Sequence, residues 1–232
     1  MGDVRPKHAE ADSGAKALIF DLDGVLVDTA KYHYQAWKRI ADELGVPFDE
    51  EINESFKGVS RTGCMDMLVD MGGLDMTPEE RAERCSSKND LFTGFVMGMD
   101  ESEILPGVTP FIEGAKAQGY LIALGSASKN APTIMERVGL APLFDVMVDG
   151  SMVTNAKPDP EIFSLGAQLL GVSPEDAVVF EDAQAGIEAA HRAGMRAVGI
   201  GSPQVLSKAD VTIPSFAGLS VDDVMGMLDQ RS

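Results

Sequence analysis

Six short, almost wholly apolar runs constrain what this chain can fold into: residues 17–20, 120–124, 146–148, 178–180, 197–200 and 211–213. Continuous apolar runs of this length read as strands buried on both faces, and such strands belong to parallel sheets covered by helices. Helix signals separate most of them. Thr109 before Pro110 and Asp159 before Pro160 open helices, while Gly119, Gly139, Gly171 and Gly194 stand where left-handed caps end them. The alternation predicts an α/β fold, a Rossmann-like parallel sheet core whose strand ends converge on one edge.

Between Asp28 and about Leu105 the strand-like runs vanish and helical spacing takes over, as in Ala36, Trp37, Ile40, Ala41 and Leu44 before Gly45. The expectation is a discontinuous core, residues 15–28 and 105–232, carrying an inserted all-helical cap at 29–104. Thr29 is the candidate N-cap of the first cap helix, with Asp28 as its competitor. The cap methionines, Met65, Met67, Met71, Met76, Met97 and Met99, read as core filling, and Gly72–Gly73 with Gly94 or Gly98 as turns. Cys64 and Cys85 lack metal or disulfide spacing and read as two buried thiols.

With 37 acidic against 19 basic side chains the formal charge is −18, a field that repels phosphate backbones and anionic lipid and makes nucleic acid and membrane improbable partners. The 1–14 stretch is polar, lacks the apolar segment of a secretory signal, and is expected to be a loose tail on a soluble, cytoplasmic monomer. Acidity outside does not exclude an anionic small molecule inside, provided cations, backbone N–H groups or a metal reverse the local sign.

The strand ends carry the chemistry. Asp21 and Asp23 follow the first run two residues apart and share a face in extended geometry; Glu181 and Asp182 end another run, and Ser126 and Lys157 sit on further connections. Carboxylates for a hard divalent cation, a lysine for phosphate charge and a hydroxyl beside helix-start amides suit phosphoryl transfer. The bland reading of Asp21-Leu22-Asp23-Gly24 alone is a solvated turn.

In their order, Asp21-Leu22-Asp23-Gly24, Ser126, Lys157-Pro158 and Glu181-Asp182 resemble the four motifs of the haloacid dehalogenase-like superfamily over about residues 17–201. That resemblance implies that Asp21 is a nucleophile forming an aspartyl phosphate and that Asp23 is the general acid/base. It implies Mg²⁺ held by Asp21, the Asp23 carbonyl and Asp182, with Glu181 ligating through water or orienting neighbours. Ser126 and the Ala127 N–H would take phosphate oxygens beside Lys157.

Longer strings, Asp28-Thr29-Ala30-Lys31-Tyr32-His33, Lys57-Gly58-Val59-Ser60-Arg61, Lys88-Asn89-Asp90, Ser126-Ala127-Ser128-Lys129-Asn130 and Glu181-Asp182-Ala183-Gln184-Ala185-Gly186-Ile187, resemble the β-phosphoglucomutase family. The resemblance implies interconversion of β-D-glucose 1-phosphate and glucose 6-phosphate, primed by glucose 1,6-bisphosphate. Arg61, Ser128, Lys129 and Asn130 would then hold a distal phosphate, with Gly58, Val59, Trp37 and Asn89 on the cap side. His33 would lie near Asp23 and Lys88, and Thr29 would be the cap hinge. A magnesium-dependent sugar-phosphate phosphatase is the competing expectation, and a non-catalytic phosphosugar-binding protein the third.

Overall fold

The computed structural model describes residues 16–230, so the expected 1–14 tail lies outside the described residues. Six strands form one sheet: β1 (Ala17–Phe20), β2 (Leu121–Gly125), β3 (Val146–Val148), β4 (Ala177–Glu181), β5 (Arg196–Ile200) and β6 (Val211–Ile213), in the order β3-β2-β1-β4-β5-β6. Every pairing is parallel. All six expected strands are present, their ends displaced by one residue at most.

Side-chain alternation divides β1 between two layers. Leu18 and Phe20 join the cluster that includes Phe111, Phe180 and Phe216, while Ala17 and Ile19 join the cluster that includes Ile162, Phe163 and Ile187. Phe20 and Phe180, partners across β1 and β4, stack with centroids 4.6 Å apart. The first layer is built on α5 (Val108–Ala117), α6 (Ala131–Arg137) and α9 (Val221–Asp229), the second on α7 (Glu161–Leu170) and α8 (Gln184–Arg192). Both faces of the sheet are thereby covered, as its unbroken apolar strands require.

Between β1 and α5 lie only helices: α1 (Ala30–Leu44), α2 (Glu50–Glu54), α3 (Arg61–Gly72) and α4 (Pro78–Val96), with a short 3₁₀ turn at Glu101–Glu103. They have a core of their own around Trp37, Ile40, Phe48, Phe56, Met65 and Leu68. Met65 and Met99 are buried, as core filling requires, whereas Met71 and Met97 are exposed. The segments entering and leaving this block run side by side, Asp28 N–H to Glu103 C=O at 2.9 Å and Leu105 N–H to Leu26 C=O at 2.9 Å. No helix among the described residues is long and apolar enough to cross a membrane.

Three local expectations are corrected. Gly94 is not a turn but lies inside α4, and the break comes at Gly98. Helix α5 begins at Val108 rather than at Pro110, because Gly107, at φ +86°, turns the chain tightly against the backbone of Phe216 and Ala217. Thr29 occupies the N-cap position of α1, but its hydroxyl does not cap the helix; it donates to Asp23 Oδ1.

Candidate active site

The carboxyl ends of β1, β2 and β4 open into a cavity of about 190 Å³ roofed by α1, the α2–α3 connection and α4. Such a crevice, beside the central strands of a 3-2-1-4-5-6 sheet, is where open parallel sheets bind ligands. Asp21, Asp23, Thr29, His33, Trp37, Gly58, Val59, Arg61, Lys88, Asn89, Ala127, Ser128, Lys129, Asn130, Lys157, Glu181 and Asp182 all face it, so residues up to 161 positions apart in sequence meet in one place. Ser126 does not reach the wall. It is fully buried beneath it, its Oγ accepting the Ser128 N–H at 3.1 Å and shaping the 126–130 loop.

On the floor, Lys157 is buried between two carboxylates, its Nζ donating to Asp21 Oδ1 at 2.6 Å and to Glu181 Oε1 at 2.7 Å. Burial opposes its charge, but the two anions win and lift its pKa above the ordinary lysine value. The other oxygen of Glu181 accepts the Ala183 N–H at 2.7 Å. Of the two roles expected of Glu181, these contacts match the orienting one: the side chain positions Lys157.

Asp21 and Asp182 are left with more negative charge than the protein's own cations neutralise. Burial, together with Glu181 and Asp23, raises the Asp21 carboxyl from 3.8 to about 7 despite Lys157. Burial, Glu181 and Asp21 likewise push Asp182 well above the usual range. Gly24, at φ +75°, makes the approach possible, since a Cβ there would run into the Asp182 carboxylate. This uncompensated oxygen-rich corner fits a hard divalent cation. No three His, Cys, Asp or Glu side chains among the described residues form a complete ligand set, so Asp21 and Asp182 would need the Asp23 backbone carbonyl as a further donor.

Asp23 points the other way, toward the roof. Thr29 donates to it, and His33 Nε2 lies 3.8 Å from its Oδ1. Burial would raise the Asp23 pKa, but His33 and the Thr29 hydroxyl outweigh it and the net shift is downward. Behind the imidazole, Lys88 Nζ is 2.9 Å from His33 Nδ1. Burial and Arg61 depress Lys88 from 10.5 to about 7, and burial with Lys88 depresses His33. Lys88, His33 and Asp23 thus form a chain of adjacent ionisable groups in which Lys88 is brought down to about 7 while Asp23 is held below the usual carboxylate range.

The roof supplies a second set of polar groups. Ser60 caps α3 by accepting the Gly63 N–H at 3.1 Å, which sets Arg61 at the first helical position. Arg61 Nη2 donates to Asn89 Oδ1 at 2.7 Å, and Lys129 and Asn130 stand across from it on the core. Trp37 packs edge-on to Phe56 at 5.6 Å, with Lys88 Nζ over its ring at 5.2 Å. Cys64 also faces the cavity, but burial pushes its thiol up to about 12, so it is a packing group. Asn53, Phe56 and Phe92 line the site without having been singled out from sequence, where each reads as an ordinary cap position, and Lys57, quoted there only within its string, lines it too.

Comparison with known proteins agrees with this architecture. Residues 15–194 match the haloacid dehalogenase-like hydrolase family. The chain is 39% identical over 209 residues to a β-phosphoglucomutase of Bacillus subtilis, covering 89% of this chain and 92% of that one. It is 34% identical over 189 residues to a phosphorylated carbohydrates phosphatase of Thermotoga maritima, covering 79% and 83%. The crystal structure of a β-phosphoglucomutase from Clostridium difficile superposes with a TM-score of 0.88 at 35% identity, over 93% of this chain and 98% of that one. With three of the four ordered motifs lining one cavity and Ser126 buried beneath it, the chain belongs to the haloacid dehalogenase-like superfamily of enzymes and, within it, to the β-phosphoglucomutase family.

Proposed function

We propose that the enzyme is a β-phosphoglucomutase, interconverting β-D-glucose 1-phosphate and glucose 6-phosphate through an aspartyl-phosphate enzyme and glucose 1,6-bisphosphate. The observation that carries this reading is that one cavity holds two phosphate-suited groups of residues: Asp21 with Lys157, and Arg61, Lys129 and Asn130, of which Arg61 and Asn130 are joined through Asn89. A monoester hydrolase needs the first region only; a bisphosphate intermediate occupies both.

Asp21 is the nucleophile. Its Oδ attacks phosphorus of the bisphosphate, the bond from phosphorus to the sugar oxygen breaks, and Asp23 gives that oxygen a proton. In the next half-reaction Asp23 takes the proton of the 6-hydroxyl of β-glucose 1-phosphate, and that oxygen attacks the aspartyl phosphate. The bisphosphate formed turns round, returns its 1-phosphate to Asp21, and leaves as glucose 6-phosphate. Lys157 neutralises charge on the transferring group, and Glu181 fixes Lys157 through their 2.7 Å contact. Mg²⁺, held by Asp21, Asp182 and the Asp23 carbonyl, would supply further neutralisation of the phosphoryl oxygens. The Lys88–His33–Asp23 chain sets the proton inventory of the acid/base, and the α1–α4 roof limits access of water.

A trace of glucose 1,6-bisphosphate with β-glucose 1-phosphate and Mg²⁺ tests the reading when glucose 6-phosphate and inorganic phosphate are followed together. Glucose 6-phosphate in large excess over phosphate is expected. Equal release of phosphate and free sugar would make the enzyme a sugar-phosphate phosphatase, the activity named for the Thermotoga maritima relative.

A further inference from the structure

Asp21 and Asp182 directly follow strands and Glu181 ends one, but Lys157 is carried by an irregular segment between β3 and α7. Thr154, Asn155 and Ala156, just before it, are exposed, whereas its own ammonium is buried between Asp21 and Glu181. Such a segment has no sheet ladder to fix it, so its backbone groups need other partners. Glu161, the first residue of α7, provides them. Both of its oxygens accept the Thr154 N–H, at 3.1 and 3.0 Å, and Oε2 also accepts the Asn155 N–H at 2.8 Å. These amides, Asn155 foremost, hold the Glu161 carboxyl below its usual range. Two residues on, the Phe163 ring lies under the ammonium, its centroid 4.6 Å from Lys157 Nζ. Phe163 is fully buried, and a Cβ on Gly125 of β2 would meet its ring at 2.9 Å, so the ring is wedged against the sheet. Beyond the lysine, Arg192 of α8 donates from Nη1 to the Pro158 carbonyl at 3.2 Å.

We infer that Glu161 is a positioning residue for phosphoryl transfer: the first turn of α7 fixes both ends of Lys157, the backbone through the Glu161 carboxylate and the ammonium through the Phe163 ring. This rests on Lys157 neutralising the transferring phosphoryl group, a role shared by the mutase reading and its phosphatase alternative. A lysine ammonium rides on a flexible four-carbon stem, so its place beside Asp21 depends on where its own backbone stands. Asp21 cannot be that reference, because it is the group that becomes phosphorylated. Glu161 is outside the cavity wall and keeps its contacts whatever happens at Asp21. A carboxylate present only to complement the helix dipole would have no need to place both oxygens on the preceding segment.

The test compares Glu161→Gln and Glu161→Ala with the parent, in the full chain with Mg²⁺. Glutamine keeps the shape but leaves one acceptor and turns an N–H toward the segment; alanine removes both acceptors. Crystal structures of the three proteins read the lysine directly. Acetyl phosphate, a donor without a sugar, reads its use: an Asp21 oxygen attacks phosphorus and acetate leaves. In both variants Lys157 Nζ is expected to leave its place between Asp21 and Glu181. The maximal rate of phosphoenzyme formation is expected to fall about tenfold or more, with the half-saturating acetyl phosphate concentration changed by less than about twofold. An ammonium that stays in place in both variants, an unchanged maximal rate, or a loss of rate matched by an equal rise in the half-saturating concentration would overturn the inference. A parent that forms no phosphoenzyme refutes the proposed chemistry at Asp21, while the crystal structures still decide what holds Lys157.

Discussion

Replacing Asp21 by asparagine should make the metal-free protein more stable at pH 8, although it removes a partner of a buried lysine. The Asp21 side chain is 10% exposed and its carboxyl is raised from 3.8 to about 7, with burial as the leading cause. For a carboxyl raised on folding, the folded chain binds more protons than the unfolded one between those two values. The stability it contributes is therefore complete below about pH 3.8 and is lost as pH rises through about 7. A shift of that size corresponds to roughly 4 kcal/mol at about 1.36 kcal/mol per unit. An amide resembles the protonated carboxyl in shape and does not titrate, so the two proteins should agree near pH 4 and diverge above it. His33 and Lys88, whose depressed values favour stability at higher pH, occur in both proteins and drop out of the difference. Urea unfolding in EDTA at pH 5 and pH 8 measures it, and saturating Mg²⁺ should shrink the gap at pH 8 because the ion favours the ionised carboxylate. A difference that does not change with pH, or a parent that gains on the variant as pH rises, would refute the charge balance described for this corner.

Two further substitutions follow from the same geometry. Thr29→Val removes the hydroxyl that donates to Asp23 and helps hold its pKa down, so the acidic limb of the kcat/KM profile should move to higher pH; an unmoved limb would mean that Asp23 does not control it. Gly107→Ala places a Cβ against the Phe216 backbone at φ +86°, which should cost about 2–4 kcal/mol in urea unfolding, whereas a loss under 1 kcal/mol would show that this turn relaxes freely.

The strands and the carboxylate positions were legible because both depend on local pattern: unbroken apolar runs mark doubly covered strands, and polar residues at their ends collect on one edge of a parallel sheet. The roles that escaped the sequence depend on how side chains are turned in the folded chain, which local pattern does not carry. Glu181 reads either as a ligand through water or as an orienting group until Lys157, 24 residues away, is found holding one oxygen. Thr29 looks like a helix cap until its hydroxyl is found on Asp23, six residues back. Ser126 reads as a phosphate-facing hydroxyl, whereas it is fully buried with its Oγ accepting the Ser128 N–H. Asn89 shows the same limit, since only the docking of α4 against the start of α6 brings it to Asn130.

Phosphoryl transfer from sugar to Asp21 and back to sugar is tested most directly by trapping and chasing the phosphoenzyme. Enzyme phosphorylated by glucose 1,6-bisphosphate carrying labelled phosphate, and freed of excess bisphosphate, would be quenched in acid, and the peptide containing Asp21 assayed for one phosphoryl group; a second portion would be chased with glucose 6-phosphate before quenching. Label on Asp21 that passes into glucose 1,6-bisphosphate faster than into inorganic phosphate is the expected result. Label that never appears on Asp21, or that leaves as inorganic phosphate at the same rate with and without the sugar phosphate, would contradict it.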